Sequence, residues 1–101
     1  MTMADDVRIE HEEIGSKVRY VAHVAGSEEV AELTYSRASA MLVIVDHTGV
    51  PDSLRGRGLG AKLAERVVIE ARQHGFRIIP LCPFFKAQAA RHPDWADIVQ
   101  G

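Results

Sequence analysis

Met41-Leu42-Val43-Ile44-Val45 is followed, across Asp46-His47-Thr48-Gly49-Val50-Pro51-Asp52-Ser53-Leu54, by Arg55-Gly56-Arg57-Gly58-Leu59-Gly60 and the amphipathic run Ala61 to His74. An unbroken apolar run of this length is too short to cross a membrane. Rich in β-branched types, it reads as a strand buried on both faces near the middle of a sheet. Strand, glycine loop and helix in that order make an anion site. The first N–H groups of a helix have no partner within it, and its dipole places partial positive charge there. Glycines at 56, 58 and 60 let backbone approach a phosphate, and Arg55 and Arg57 add cationic charge. A plain tight turn before a helix has the same composition, so the loop alone leaves both readings open.

Two phosphate motifs are excluded. A nucleotide P-loop requires G-x-x-x-x-G-K-[ST], but Gly60 is followed by Ala61 and Lys62 with no Ser or Thr for magnesium. A dinucleotide fingerprint requires G-x-G-x-x-G, whereas the glycines here run G-x-G-x-G.

Before this stretch, Val7 to His11 alternates as a short strand. Lys17 to Val24 continues the alternation with Val18, Tyr20, Ala22 and Val24 on one face. Ala25 to Glu28 is a turn and Glu29 to Ser36 a third strand, with Ala31, Leu33 and Tyr35 inward; Arg37-Ala38-Ser39 turns the chain into the strand 41 to 47. The result is a four-strand antiparallel meander. After the glycine loop the helix buries Leu59, Leu63, Val67 and Ala71 and stops at Gly75. Phe76 to Cys82 reads as a fifth strand, parallel to 41 to 47 because a helix crosses between them. Pro83 opens a second helix through Ala90, and Asp94 to Val99 adds a closing turn with Trp95 at the edge of the core.

The 101 residues make one domain, 1 to 101, of mixed α/β (α+β) type. With 47% hydrophobic and 26% charged residues, the composition is that of an ordinary globular chain, and the net charge of −2 gives no general attraction for nucleic acid. The acidic start, including Asp5 and Asp6, has no apolar core of a signal peptide, no span is long enough for a membrane, and the lone Cys82 suits a reducing compartment. The expectation is a cytoplasmic protein, a monomer or weak homodimer, without nucleic-acid or membrane partners. His11, His23 and His74 show no metal-ligand spacing, and no metal site is expected.

Arg55, Gly58 and Gly60 fit the (Gln/Arg)-x-x-Gly-x-(Gly/Ala) pattern of the coenzyme A pyrophosphate loop, and in this respect the chain resembles the GNAT acetyltransferase superfamily. The element order matches the core of that fold, but the two helices usual near its N-terminus are missing. His47-Thr48 with Val50-Pro51, the Pro80-Leu81-Cys82 strand end, and Arg91-His92-Pro93-Asp94 are similar to a narrower group, the short GNAT-like N-acetyltransferases of about a hundred residues. The resemblance implies a truncated GNAT fold: a mixed five-strand sheet with a strand-helix-strand crossover and a C-terminal helix. It further implies acetyl-CoA as cosubstrate, held in a gap between strands 41 to 47 and 76 to 82. Thr48 and Val50 would meet the pantetheine arm, Arg55, Gly56, Arg57, Gly58, Leu59 and Gly60 the pyrophosphate, and Phe84 and Lys86 the adenosine end.

Acetyl transfer to an amine needs a neutral amine, an oxyanion stabiliser and a proton for the departing thiolate. Cys82 can supply that proton or act as a nucleophile; equally, a lone cysteine is often a small buried hydrophobe. His47 is suited to base catalysis, or to holding its turn. Phe84 and Gln88 stand where relatives carry a tyrosine acid, and Trp95 replaces another tyrosine. The reading is an N-acetyltransferase acting on an amine of a small molecule or a protein lysine. The alternatives are a coenzyme A or acyl-CoA binding module without efficient turnover, and an interaction domain whose glycine loop is only a turn.

Overall fold

The structure, a computed structural model, describes residues 7 to 100; Asp5 and Asp6 lie outside them. Five strands form one sheet in the order β1 (Val7–Ile14), β2 (Lys17–Val24), β3 (Val30–Ser39), β4 (Leu42–Gly49), β5 (Arg77–Pro80). The first three pairings are antiparallel and β4 to β5 is parallel. Helix α1 (Leu59–His74) makes the crossover, α2 (Pro83–Ala90) follows β5, and single 3-10 turns lie at Asp52–Leu54 and Pro93–Trp95. Among the described residues, no helix is long and apolar enough to cross a membrane.

One face of the sheet, with Val18, Tyr20, Ala22, Leu33, Tyr35, Val43 and Val45, packs with Leu63, Val67 and Ala71 of α1 and Phe85 of α2 into a single buried cluster. Helix α1 ends where Gly75 enters the left-handed region at φ 77°, a conformation glycine adopts without a Cβ penalty, and the Gly75 and Phe76 amides both bond to the Ala71 carbonyl. Trp95 is buried, stacked on His92 with ring centroids 4.1 Å apart. Beyond it the tail runs along the outer edge of β5: the Ile78 amide bonds to the Ile98 carbonyl and the Gln100 amide to the Ile78 carbonyl, both at 2.8 Å.

Several boundaries differ from the sequence reading. The apolar run 41 to 45 is not buried on both faces, and its strand is next to last in the sheet. Val43 and Val45 are buried, Leu42 and Ile44 are half-covered, and Met41 is exposed, because both helices pack on the same side. Strand β1 continues past His11 to Ile14, where Gly15 turns the chain at φ 63°. The run Glu12-Glu13 has no apolar alternation, but Glu12 pairs with Arg19 of β2 and Glu13 with Arg37 of β3, so cross-strand charges sustain the ladder. The same Arg37 belongs to β3 rather than to a turn, with a register shift absorbed between Arg37 and Ser39. Strand β5 is shorter than 76 to 82, since Phe76 is taken up by the cap of α1 and the parallel pairing stops at Pro80.

Candidate active site

Strand β4 holds the site's first device. Thr34 of β3 stands opposite His47 and Tyr35 opposite Val45, so Asp46 is an extra residue, a β-bulge. Its carboxylate accepts bonds from Thr34 Oγ1, Ser36 Oγ and Lys17 Nζ on the open face of the sheet. Burial works against the Asp46 charge, but these donors outweigh it and hold the carboxyl below its ordinary range. The bulge resets the alternation: His47 stays on the open face, where its Nε2 lies 3.6 Å from Glu32 Oε2, and Thr48, opposite buried Leu33, turns toward the helices.

Strand β4 also outruns its parallel neighbour. The pairing with β5 covers Leu42 to Val45 only, and the Cys82 amide closes the last rung on the Val45 carbonyl at 2.9 Å. From Asp46 to Gly49 the edge facing β5 has no strand beside it among the described residues, and a strand edge presents free backbone donors and acceptors. Cys82 is buried at this fork, its Sγ 3.5 Å from Thr48 Oγ1.

Next to the fork lies an open groove of about 560 Å³ whose walls include Thr48, Val50, Arg55, Gly56, Gly58, Leu59, Gly60 and Phe84. It ends on the N-terminus of α1. Gly58 caps that helix at φ 73°, Gly56 has φ 83°, no side chain bonds to the free amides, and no acidic residue lies in the first turn. Four unsatisfied N–H groups and the positive end of the dipole therefore face the groove without an internal anion. Gly60 serves a different end: a Cβ there would sit 2.5 Å from Phe84 Cζ, so the missing side chain lets the Phe84 ring lie against α1.

The structure thus brings Cys82, Thr48, Val50, the glycines and Phe84 together around one fork and groove. Arg55 reaches the groove while paired with Asp52 at 3.0 Å, and Arg57 does not line it. His47 lies on the opposite face of the sheet. Lys86 faces a separate apolar groove beside Pro80, Trp95 and Val99. In its place Gln88 and Arg91 line the glycine groove, and Arg91 has no ion-pair partner among the described residues. The signal for these two was present: Phe84, Gln88 and Arg91 follow i, i+4, i+7 spacing and share a helix stripe, whereas Lys86, two positions after Phe84, points to the far side. Among the described residues no group of three or more His, Cys, Asp or Glu side chains is placed to hold a metal ion.

A structure of a GCN5-like candidate N-acetyltransferase from Staphylococcus aureus, determined in solution by NMR, superposes with a TM-score of 0.66 at 32% sequence identity, covering 91% of this chain and 88% of that one. No curated protein matches the chain. The family model described as GCN5-related N-acetyl-transferase matches residues 19–98, from the start of β2 through the tail beside β5. The chain belongs to the GCN5-related N-acetyltransferase family.

Proposed function

We propose that this protein transfers an acetyl group from acetyl-CoA to a primary amine, with coenzyme A in the glycine groove and the amine arriving from the open face of the sheet. The carrying observation is the fork. Strand β4 extends beyond β5, and its Thr48 both touches the Cys82 thiol and lines the groove that ends on the uncapped amides of α1. The residues fit the cosubstrate: the α1 amides and Arg55 face where a pyrophosphate would lie, the free edge of β4 can pair with an amide-bearing arm, and Phe84 with Arg91 offers an aromatic surface and a cation at the far end. Bound acetyl-CoA supplies an activated acyl carbonyl.

The chain's own residues supply protons and position. The Cys82 thiol, in contact with the Thr48 hydroxyl and with no cationic side chain paired to it, is read as the proton donor to the departing thiolate. A nucleophilic role would call for a neighbouring positive charge to stabilise the thiolate. On the other face, His47 beside Glu32 accepts the proton that the amine loses on attack. The balance closes with one N–C bond formed, one C–S bond broken, one proton leaving nitrogen and one reaching sulfur.

Calorimetric titration with acetyl-CoA tests the cosubstrate. A Cβ on Gly58 would touch nothing in the free protein, so Gly58→Asn, a residue that tolerates the left-handed conformation, should fold and still lose affinity by about tenfold or more as its side chain fills the phosphate position. Absence of binding to the unmodified protein at millimolar ligand overturns the reading.

A further inference from the structure

A second cavity, of about 550 Å³, opens at the other end of α1, some ~24 Å along the helix from the glycine loop by its rise per residue. Its volume lies within the roughly 300–1,000 Å³ range of small-molecule sites. Tyr20 and Tyr35 form its floor, with Phe76 and Ala40 as apolar wall. Both phenols belong to side chains only 3% exposed; the Tyr20 hydroxyl leans toward the Tyr35 oxygen as a long hydrogen bond, and among the described residues neither has another side-chain partner within 3.5 Å. Buried hydroxyls are usually paired, and an unpaired one costs free energy. Here the two hydroxyls share one long bond, which leaves lone pairs on both oxygens at one cavity and marks a place for a hydrogen-bond donor. Burial pushes both phenols above their ordinary values, so each is a neutral donor and acceptor near pH 7.

The rim decides the ligand's charge. Glu13 is held by both terminal nitrogens of Arg37, at 3.0 and 3.2 Å, which consumes that guanidinium. His11 stacks on Tyr20 at 5.4 Å and lies 3.7 Å from Glu13 Oε2. Glu70 has only His74 as partner, at 3.2 Å, and its charge is felt by both phenols. Of the permanent charges lining the cavity, two carboxylates face one cation; Arg66, one turn back on α1, reaches Tyr20 electrostatically but does not line the cavity, so the lining's surplus negative charge sits at Glu70 beside the tyrosine floor.

We infer that this cavity binds a small organic ammonium ion, its nitrogen between Glu70 and the two phenol oxygens and its apolar or aromatic body along Phe76. An ammonium group has three donors, matching one carboxylate and two hydroxyl acceptors. The site is separate from the acetyl-transfer fork and independent of it.

The test is an NMR titration of the full ¹⁵N-labelled chain with phenethylammonium chloride and, in parallel, with the neutral isostere 2-phenylethanol. Saturable shifts confined to Tyr20, Tyr35, Phe76 and the end of α1 are expected with the ammonium, with at least about tenfold weaker binding of the alcohol. Glu70→Gln should weaken the ammonium by a similar factor, and Tyr35→Phe by less, while acetyl-CoA titrations of both variants stay unchanged. Equal binding of alcohol and ammonium, shifts scattered over the surface, or no shifts at millimolar ligand overturns the proposal. Should a variant fail to fold, the comparison of the two ligands on the unmodified protein decides it.

Discussion

The Cys82 sulfur lies 3.5 Å from the Thr48 hydroxyl, joining the residue just before α2 to the unpaired end of β4. This contact spans the fork where β4 and β5 part, and it places the chain's one thiol at the only break in the parallel ladder among the described residues. For Cys82→Ala, kcat should fall by about 10² or more, with acetyl-CoA affinity unchanged and stability lowered by about 1 kcal/mol. Steady-state kinetics beside urea unfolding separate the two effects. In the unmodified protein, mass spectrometry with acetyl-CoA and no acceptor should find no acetylated protein; its accumulation would make the thiol a nucleophile rather than an acid.

His47 and the glycine groove are on opposite sides of the sheet. His47→Gln should therefore leave acetyl-CoA binding intact and lower kcat/KM by about 10²-fold in steady-state kinetics. Glu32→Gln should act in the same direction but less, since Glu32 touches the imidazole and not the amine. A loss of acetyl-CoA affinity in His47→Gln would place the residue wrongly.

Gly60 and Phe84 are coupled through the space a Cβ would fill. In a Phe84→Ala background, Gly60→Ala should stabilise the protein by roughly 0.5–1 kcal/mol, the ordinary gain of replacing glycine within a helix. With Phe84 present the gain should vanish or reverse, because the ring must swing away. A double-mutant cycle on thermal or urea stability gives the coupling, and additivity would show that the two residues do not meet.

Asp46 gives the sheet an acid-sensitive joint. Its carboxyl is held below the value of 3.8 that an unperturbed aspartate has, so its contribution is fully present above that pH and is lost as pH falls through the lower folded-state value. Urea midpoints measured between neutral pH and about pH 2 should fall at the acid end. Asp46→Asn should be less stable at neutral pH and flatter in that window. Equal slopes for both proteins would show that the Thr34, Ser36 and Lys17 donors do not favour the charged form.

The meander, the crossover and the parallel fifth strand were legible because alternation and helical spacing are local signals, and the glycine cluster marked the start of α1 correctly. Face assignment beyond Val45 was not legible. Plain alternation would put His47 with Val45 on the helix side, and only the pairing with Thr34 and Tyr35 reveals that Asp46 shifts the count. The span of β1 was missed for a related reason: Glu12 and Glu13 are strand residues on account of Arg19 and Arg37, which are distant in sequence. The resemblance assigns Lys86 to the adenosine end, but its position on α2 points it toward Pro80 and Trp95. The helix stripe followed from Phe84 reaches Gln88 and Arg91.

The bulge at Asp46 means that consecutive residues, one peptide bond apart, serve two compartments. Thr48 meets the thiol side of the fork and His47 meets solvent on the far side, so the sheet is a partition one residue thick with neighbouring side chains on its two surfaces. Such a partition is parity-sensitive. Were the strand to lose the bulge at unchanged length, with Asp46 paired like any other residue, His47 would turn inward and Thr48 outward; deleting Asp46 instead removes the extra residue and leaves both on their present faces.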